Sequence, residues 1–163
     1  MTESVPHLPV LLGETITQLV TDPDGIYLDC TVGYGGHAEA ILEKLTKNGK
    51  FIGLDLDPYA LEYTQKLLST TRASYSLHHG NFREYPNLLK KMGVKKLTGI
   101  LFDFGTSSSQ INTEHRGFSF QSDAPLDMRF NPDMGISAFE YLNTSDVEEI
   151  GTTISQYGEE RYH

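Results

Sequence analysis

The sequence predicts an α/β protein built on a Rossmann-like parallel sheet. Three observations carry this prediction: short apolar segments alternate with amphipathic helical segments, a glycine-rich loop follows the first apolar segment, and acidic residues stand where apolar segments end. Alternating strands and helices are typical of sheets whose strands run parallel and are joined by crossover helices. A chain of 163 residues, 38% of them hydrophobic, is long enough for one such domain.

Four segments have the length and apolar content of strands: residues 26–30, 51–55, a stretch around Tyr75 and Leu77, and 99–103. In the third segment apolar and polar residues alternate, which predicts a half-exposed edge strand. The fourth is continuously apolar up to its final aspartate, so it is predicted to be buried on both faces.

Apolar residues at helical spacing predict helices between these strands. Asp57 is expected to cap the second of them, with Pro58 as its first residue. The apolar positions are Ala38, Ile41, Leu42 and Leu45; then Leu61, Leu67 and Leu68; then Tyr85, Leu88, Leu89 and Met92; and, at the start of the chain, Val10, Leu11, Leu12 and Ile16.

The last third of the chain has a different character. Residues 105–135 are rich in Gly, Ser, Asn and Asp without a clear period, and they are predicted to form a long ordered loop. Two helices are predicted after it from capping boxes, one at Ser137 with Glu140 and one at Ser145 with Glu148.

The glycine loop after the first strand is the first candidate binding site. Gly33, Gly35 and Ala38 match the G-x-G-x-x-G/A fingerprint of dinucleotide-binding loops. Asp55 ends the second strand about 20 residues later, where a carboxylate can accept both hydroxyls of a ribose. The pattern predicts a site for a ribose-bearing cofactor, against the alternative of a structural turn that uses glycine for tight packing.

NAD and S-adenosylmethionine both fit this pattern, and three further residues favour S-adenosylmethionine. Asp29 precedes the glycine loop, where a carboxylate suits a cationic cofactor better than a pyrophosphate. Phe82 follows the third strand and can stack on an adenine. Asp103 ends the fourth strand, at the edge of a parallel sheet where ligands bind.

Composition limits the other classes of function. The single cysteine, Cys30, fits a reducing compartment, and neither an apolar run of 18 residues nor a signal peptide is visible, so a cytoplasmic protein without a membrane span is expected. His37, His78 and His79 with Cys30 lack the spacing of zinc ligands, so no metal site is expected.

The charge of the chain does not by itself predict an RNA-binding protein, because phosphate binding requires Lys and Arg. The net charge is −9, with 10 basic and 12 acidic residues in 1–110 but 3 and 10 in 111–163. Four lysines, at 90, 91, 95 and 96, cluster around one predicted helix end, where they form either a solvated face or an RNA contact.

Seven short motifs follow one another along almost the whole chain. They are HLPVLLGE (7–14), DCTVGYGGH (29–37), HGNF (79–82), DFGTSSSQ (103–110), RGFSF (116–120), PLDMR (125–129) and YGEER (157–161). Together they resemble the RsmH (MraW) family of ribosomal RNA cytosine-N4 methyltransferases, and the RGFSF and PLDMR strings are highly specific. One departure is FDFGTSSSQ at 102–110 in place of the usual LDLGVSSPQ, which keeps the acid and the amide.

The resemblance implies a class I S-adenosylmethionine-dependent methyltransferase sheet. It also implies S-adenosylmethionine as the methyl donor and N4 of a cytidine in the decoding region of 16S ribosomal RNA as the target. Asp103 is the candidate catalytic residue, acting either on the amine or by placing the cofactor. Carried over by position, the cofactor-binding residues are Gly35, Gly36, His37, Asp55, Phe82, Asp103 and Gln110.

Family members are roughly twice as long as this chain, so the resemblance also implies an incomplete fold. Residues 1–110 are expected to form the cofactor-binding portion, and 111–163 the start of a helical insertion. The chain alone is expected to bind the cofactor without methylating the small ribosomal subunit. Residues 99–103 are expected to be an open sheet edge covered by a second copy of the chain or by the missing C-terminal half.

Two other functions remain open from the residues alone. The glycine fingerprint is also compatible with an NAD-dependent oxidoreductase domain. A shortened chain could also be an inactive module that only binds RNA or protein, although its acidity argues against RNA.

Overall fold

The computed structural model describes residues 9–160 and 162. The chain divides into two compact units, Met1–Ser109 and Gln110–His163. The beginning of the first motif, at His7 and Leu8, lies outside the described residues.

The first unit contains a four-stranded sheet in which all strands run parallel. The strands are β1 (Ile26–Asp29), β2 (Lys50–Asp55), β3 (Ser74–His79) and β4 (Gly99–Leu101). Their order is β3-β2-β1-β4. The predicted Rossmann-like sheet is therefore confirmed, including the position of β3 at an edge.

Helices cover both faces of this sheet, because successive side chains of a strand point to opposite sides. One core cluster contains Tyr27 and Phe51, against which the first helices pack. The other contains Leu28, Cys30 and Ile52, against which the fourth helix packs. The helices are α1 (Leu12–Leu19), α2 (Gly36–Lys44), α3 (Pro58–Leu67) and α4 (Tyr85–Lys91), with short 3-10 turns at Leu68–Thr70 and Phe82–Glu84.

The prediction that 99–103 is a strand buried on both faces was wrong. β4 ends at Leu101, and the side chains of Ile100 and Phe102 are both 37% exposed. Within the described residues β4 pairs with β1 alone, so one side of the strand and part of its apolar surface are left uncovered.

The last third of the chain contains helices that the sequence predicted only in part. They are α5 (Ser108–Asn112), α6 (Ala138–Thr144) and α7 (Val147–Gly158), with a 3-10 turn at Glu114–Arg116. The prediction that residues 105–135 form a long ordered loop was wrong at Ser108–Asn112 and Glu114–Arg116, where α5 and this turn lie. In the part of the chain that the structure describes, no helix reaches the length and apolarity that a bilayer crossing needs.

One of the two predicted helix caps is confirmed and the other is displaced by one residue. Ser137 accepts a hydrogen bond from the backbone N–H of Glu140 at 3.1 Å and begins α6. Ser145 ends α6 instead of beginning α7. Asp146 caps α7 by accepting the Glu149 N–H at 2.8 Å, because a carboxylate at this position reaches the third N–H as well as serine does.

The RGFSF and PLDMR motifs are joined to each other by hydrogen bonds in the second unit. Arg116 is 4% exposed and donates through Nη2 to the carbonyls of Arg129 at 3.0 Å and Phe130 at 2.9 Å. Gly117 has φ +69°, and a Cβ there would lie 2.4 Å from the Pro125 carbonyl. The backbone N–H of Met128 donates to the Arg116 carbonyl at 3.0 Å. These motifs therefore build the unit's internal framework.

Candidate functional site

The site lies at the carboxyl ends of the strands, where the sheet changes direction. From β1 the chain proceeds to β2 and β3 on one side, and then to β4 on the other. In open α/β sheets a crevice forms outside the strand ends at such a switch point. Asp29 and Asp55 end β1 and β2, and Asp103 follows β4 by two residues, so three carboxylates lie at this edge.

The glycine loop between β1 and α2 is held close to α3. Gly33 and Gly35 have φ values of +51° and +86°, which favour glycine. The Thr64 hydroxyl on α3 donates to the Gly33 carbonyl at 2.8 Å. A Cβ on Gly35 would lie 2.8 Å from Thr64 Cγ2. The loop therefore leads directly into Gly36, where the first N–H groups of α2 have no carbonyl partner within the helix.

Asp55 ties β2 to the glycine loop. Its Oδ2 accepts the Gly33 N–H at 2.7 Å, and its Oδ1 accepts the Asp57 N–H at 2.8 Å. Burial raises the pKa of the Asp55 carboxyl, and the two N–H donors partly oppose that rise. Each carboxylate oxygen has a second lone pair, so the same side chain can still accept ribose hydroxyls.

Asp29 and Asp103 are connected through Thr31. Asp29 is 1% exposed and accepts the Thr31 N–H at 3.0 Å. The Thr31 hydroxyl oxygen accepts the Asp103 N–H at 2.7 Å. Burial raises the pKa of Asp29 to about 7, with further contributions from the charges of Asp55 and Asp103. The Thr31 side chain thus fixes the segment after β4 against the loop after β1.

His37 brings a buried imidazole to the exposed carboxylate of Asp103. His37 Nδ1 lies 3.8 Å from Asp103 Oδ2, and the Asp103 side chain is 48% exposed. His37 itself is 7% exposed, and its Nε2 has no hydrogen-bond partner among the described residues. Asp103 is therefore the accessible member of this His–Asp pair, and His37 is its buried member, with one ring nitrogen that has no hydrogen-bond partner among the described residues.

Phe82 belongs to a group of aromatic rings beside Asp103. Its ring centroid lies 6.2 Å from that of Phe102, edge to face, and 5.3 Å from that of Phe104. Phe82 is 36% exposed and Phe104 is 67% exposed. Aromatic faces of this kind suit a flat base.

Most of the predicted site residues lie at this one edge of the first unit. Gly35, Gly36, His37, Asp55, Phe82 and Asp103 are all found there. Gln110 lies in the second unit, where it is 5% exposed.

Two threonines were not anticipated from the sequence. Thr31 stands two residues after Asp29, and that spacing is the signal of a local carboxylate-to-backbone turn. Thr64 lies on α3, and its role depends on how α3 docks against the loop, which the sequence does not encode locally.

The family model described as the MraW methylase family matches residues 4–163. The chain belongs to the MraW methylase family. Two similar members are proteins named ribosomal RNA small subunit methyltransferase H. The one from Buchnera aphidicola is 47% identical over 99% of this chain and 51% of its own length. The one from Fusobacterium nucleatum is 44% identical over 96% and 50%.

This MraW-family chain spans about half the length of those relatives. Among solved structures, NSun6 from Pyrococcus horikoshii with SFG overlaps 61% of this chain and 24% of its own, at 21% identity and a TM-score of 0.48.

The donor set of this MraW-family site fits a cationic ligand that contains a ribose. Within the described residues no Lys or Arg forms an ion pair with Asp55 or Asp103, so no Lys or Arg compensates the negative charge of these two carboxylates. A cation would compensate it, whereas a pyrophosphate would add to the repulsion. No three His, Cys, Asp or Glu side chains of the described chain are arranged to hold a metal ion.

Proposed function

We propose that this chain is the S-adenosylmethionine-binding part of a methyltransferase that acts on N4 of a cytidine in the decoding region of 16S ribosomal RNA. Membership of the MraW methylase family and the names of its relatives support the reaction and the RNA class. The observation that supports the cofactor is the pair of carboxylates, Asp55 and Asp103, beside the glycine loop, with which no Lys or Arg of the described residues forms an ion pair. This function places the protein in the cytoplasm with the small ribosomal subunit.

In this proposal each site residue has a binding role that its surroundings support. The loop at Gly35 and Gly36 lets the ligand approach the backbone, and Asp55 accepts the ribose hydroxyls. Phe82 borders the adenine. His37 is included through the family resemblance, and its buried Nε2 has no hydrogen-bond partner among the described residues. Gln110 is included through the family resemblance.

Asp103 has the chemical role. S-adenosylmethionine supplies a methyl group bound to a positively charged sulfur. The exocyclic amine of cytosine is conjugated with its ring and is therefore a weak nucleophile. By accepting a hydrogen bond from this amine, Asp103 would turn the nitrogen lone pair toward the donor and hold it in line. The bond from its N–H to Thr31 keeps the Asp103 backbone in place.

Calorimetry on Asp55→Ala tests the cofactor assignment. We expect the variant to weaken S-adenosylmethionine binding by about 1.5–3 kcal/mol, the usual cost of losing hydrogen bonds to a charged group. Asp22→Ala is the matched control, because Asp22 also accepts the N–H two residues later, at 3.0 Å, but lies before β1 at the other edge of the sheet. Unchanged affinity in a folded Asp55→Ala protein would refute the assignment.

An NAD-dependent oxidoreductase domain is the second candidate, favoured by the Gly33, Gly35 and Ala38 fingerprint. Thermal unfolding with each cofactor separates the two, because a ligand that binds only the folded state raises its stability. S-adenosylmethionine is expected to raise the unfolding temperature and NAD to leave it unchanged. Stabilisation by NAD alone would favour the oxidoreductase.

A further inference from the structure

Four exposed lysines form a positive surface outside the cofactor site. Lys90 and Lys91 lie in the last turn of α4, and Lys95 and Lys96 lie in the connection to β4. Residues 85–102 contain these four lysines and no Asp or Glu, in a chain of net charge −9. We call Lys90, Lys91, Lys95 and Lys96 the lysine patch.

The backbone under the lysine patch is fixed by a regular helix ending. Gly93, at φ +70°, donates to the Lys90 carbonyl at 3.2 Å, and Val94 donates to the Leu89 carbonyl at 2.9 Å. This pair of bonds is the Schellman motif. Apolar side chains alternate with the lysines and pack on the core cluster of Leu28, Cys30 and Ile52; they are Met92, Val94 and Leu97. The patch is therefore presented outward by a well-anchored turn.

The lysines of the patch are not neutralised by the protein. Among the described residues none of the four forms an ion pair. Asp22 and Asp24 border the same edge of the sheet, but their carboxylates accept bonds within their own region, from the Asp24 N–H and the Thr46 hydroxyl. The negative end of the α4 dipole stabilises the positive charges of Lys90 and Lys91, which lie in its last turn. It does not account for Lys95 and Lys96, because these lie beyond the end of the helix.

The lysine patch lies at the opposite edge of the sheet from the cofactor site. Thr98, two residues after Lys96, donates its N–H to the Ile26 carbonyl at the start of β1 at 2.7 Å. With a rise of about 3.3 Å per residue, strands of four to six residues separate the two edges by roughly 13–20 Å. A ligand that contacts both edges must be large.

One lysine of the patch, Lys91, also lines a cleft beside the carboxyl end of β3. The cleft has a volume of about 290 Å³, and its lining includes Gly80, which directly follows β3. Its other lining residues are mostly polar: Leu54, His78, His79, Glu84, Asn87 and Leu88. Gly80 donates its N–H to the Asp55 carbonyl at 2.9 Å, so one residue of the cleft lining is hydrogen-bonded to the backbone of a cofactor-site residue.

We propose that the lysine patch binds the phosphodiester backbone of the RNA substrate, at a distance from the base that is methylated. This inference rests on the proposed function. Lysine ammonium groups act as point charges on phosphates, and such contacts release bound counterions and position the nucleic acid without reading its sequence. The patch therefore favours a folded RNA over a free nucleotide, which reaches only one edge of the sheet.

Salt-dependent RNA binding tests the lysine patch. The double variant Lys95→Gln and Lys96→Gln leaves α4 and its last-turn lysines intact. Lys44→Gln with Lys47→Gln is the matched control, since it removes the same charge from two exposed lysines at the end of α2, near Glu43. Each protein is titrated with a fluorescent transcript of 16S ribosomal RNA over a series of salt concentrations, and its affinity for S-adenosylmethionine is measured by calorimetry.

Loss of two phosphate contacts is expected to reduce the slope of log K against log salt by about 1.4–1.8. We expect this reduction in the Lys95 and Lys96 variant alone, with cofactor affinity unchanged in both variants. Equal slopes in all three proteins, an equal loss in the control, or no RNA binding by the unchanged chain would overturn the proposal. Absence of cofactor binding in every protein would refute the proposed function instead, and the slopes would still decide on the patch.

Discussion

At the scale of single residues, Asp29 is a carboxyl that is both buried and close to other carboxylates. Its carboxyl is 1% exposed and faces the charges of Asp55 and Asp103, while the backbone N–H and the hydroxyl of Thr31 donate hydrogen bonds to it. A buried carboxyl of this kind keeps its proton at pH values well above those at which an exposed aspartate ionises. We expect a cationic ligand at this edge to favour the ionised form.

The stability of the first unit should therefore depend on pH through Asp29. The pKa of this carboxyl is about 7 in the folded chain against 3.8 ordinarily. As pH rises from about 4 to 7, the unfolded chain releases this proton while the folded chain retains it, so the free energy of unfolding falls by up to about 4 kcal/mol. Asp29→Asn still accepts the Thr31 N–H but cannot ionise, so its stability relative to the unchanged chain should rise across this window.

Urea unfolding at a series of pH values measures that difference. Asp22→Asn is the control, because Asp22 is exposed and accepts an N–H two residues later at 3.0 Å, as Asp29 does. The control should show no comparable rise. A difference between Asp29→Asn and the unchanged chain that stays constant from pH 4 to pH 7 would contradict the buried-carboxyl interpretation.

At the scale of elements, the loop between β1 and α2 depends on two glycines for different reasons. Gly33 needs only its left-handed conformation, since the Thr31 carbonyl oxygen, at 3.8 Å, is the sole atom of the described residues within 4 Å of a Cβ placed there. Gly35 needs both its conformation and the absence of a side chain, because α3 approaches it through Thr64 and Leu67. A side chain at Gly33 would thus strain the backbone of the loop, whereas a side chain at Gly35 would also push the loop away from α3.

Alanine substitutions should separate these two effects. Gly33→Ala is expected to cost about 1 kcal/mol of unfolding free energy through backbone strain. Gly35→Ala should cost a further 1–3 kcal/mol, roughly, through overpacking. Adding Thr64→Ser removes the Cγ2 methyl that lies 2.8 Å from the new Cβ, so it should recover part of the second cost. Equal stabilities of the two alanine variants in denaturant unfolding would show that the contact with α3 is unimportant.

The elements also show which sequence patterns predict local structure correctly. Glycines, caps and strand-end carboxylates act locally, so the loop at Gly33 and Gly35, the cap at Asp57 and the position of Asp55 were predictable. The exposure of Ile100 was not predictable from its own strand, because the number of neighbours that a strand pairs with is decided by the whole sheet. α5 was missed because a five-residue helix has too few positions to show a period.

At the scale of the whole molecule, charge and apolar surface are unevenly distributed. Most of the excess acidity lies after residue 110, while the lysine patch and the cofactor edge belong to the first unit. β4 and the segment that follows it add an exposed apolar surface: Ile100, Phe102 and Phe104 are 37%, 37% and 67% exposed. Net negative charge keeps proteins apart, whereas an uncovered apolar edge brings them together.

The uncovered edge should decide how this chain associates in solution. An unpaired strand offers its N–H and C=O groups to another strand, and β4 has no Lys or Pro to prevent this. We expect light scattering to show a mass that rises above 18.2 kDa with concentration, because a second copy pairs along β4.

Ile100→Lys should return the mass toward that of the monomer, since pairing would then bring a charge into an apolar contact. Ser74→Lys, an exposed position on the polar edge strand β3, adds the same charge at the other edge and should leave association unchanged. A constant monomer mass for the unchanged chain at all concentrations would show that the exposed edge does not pair.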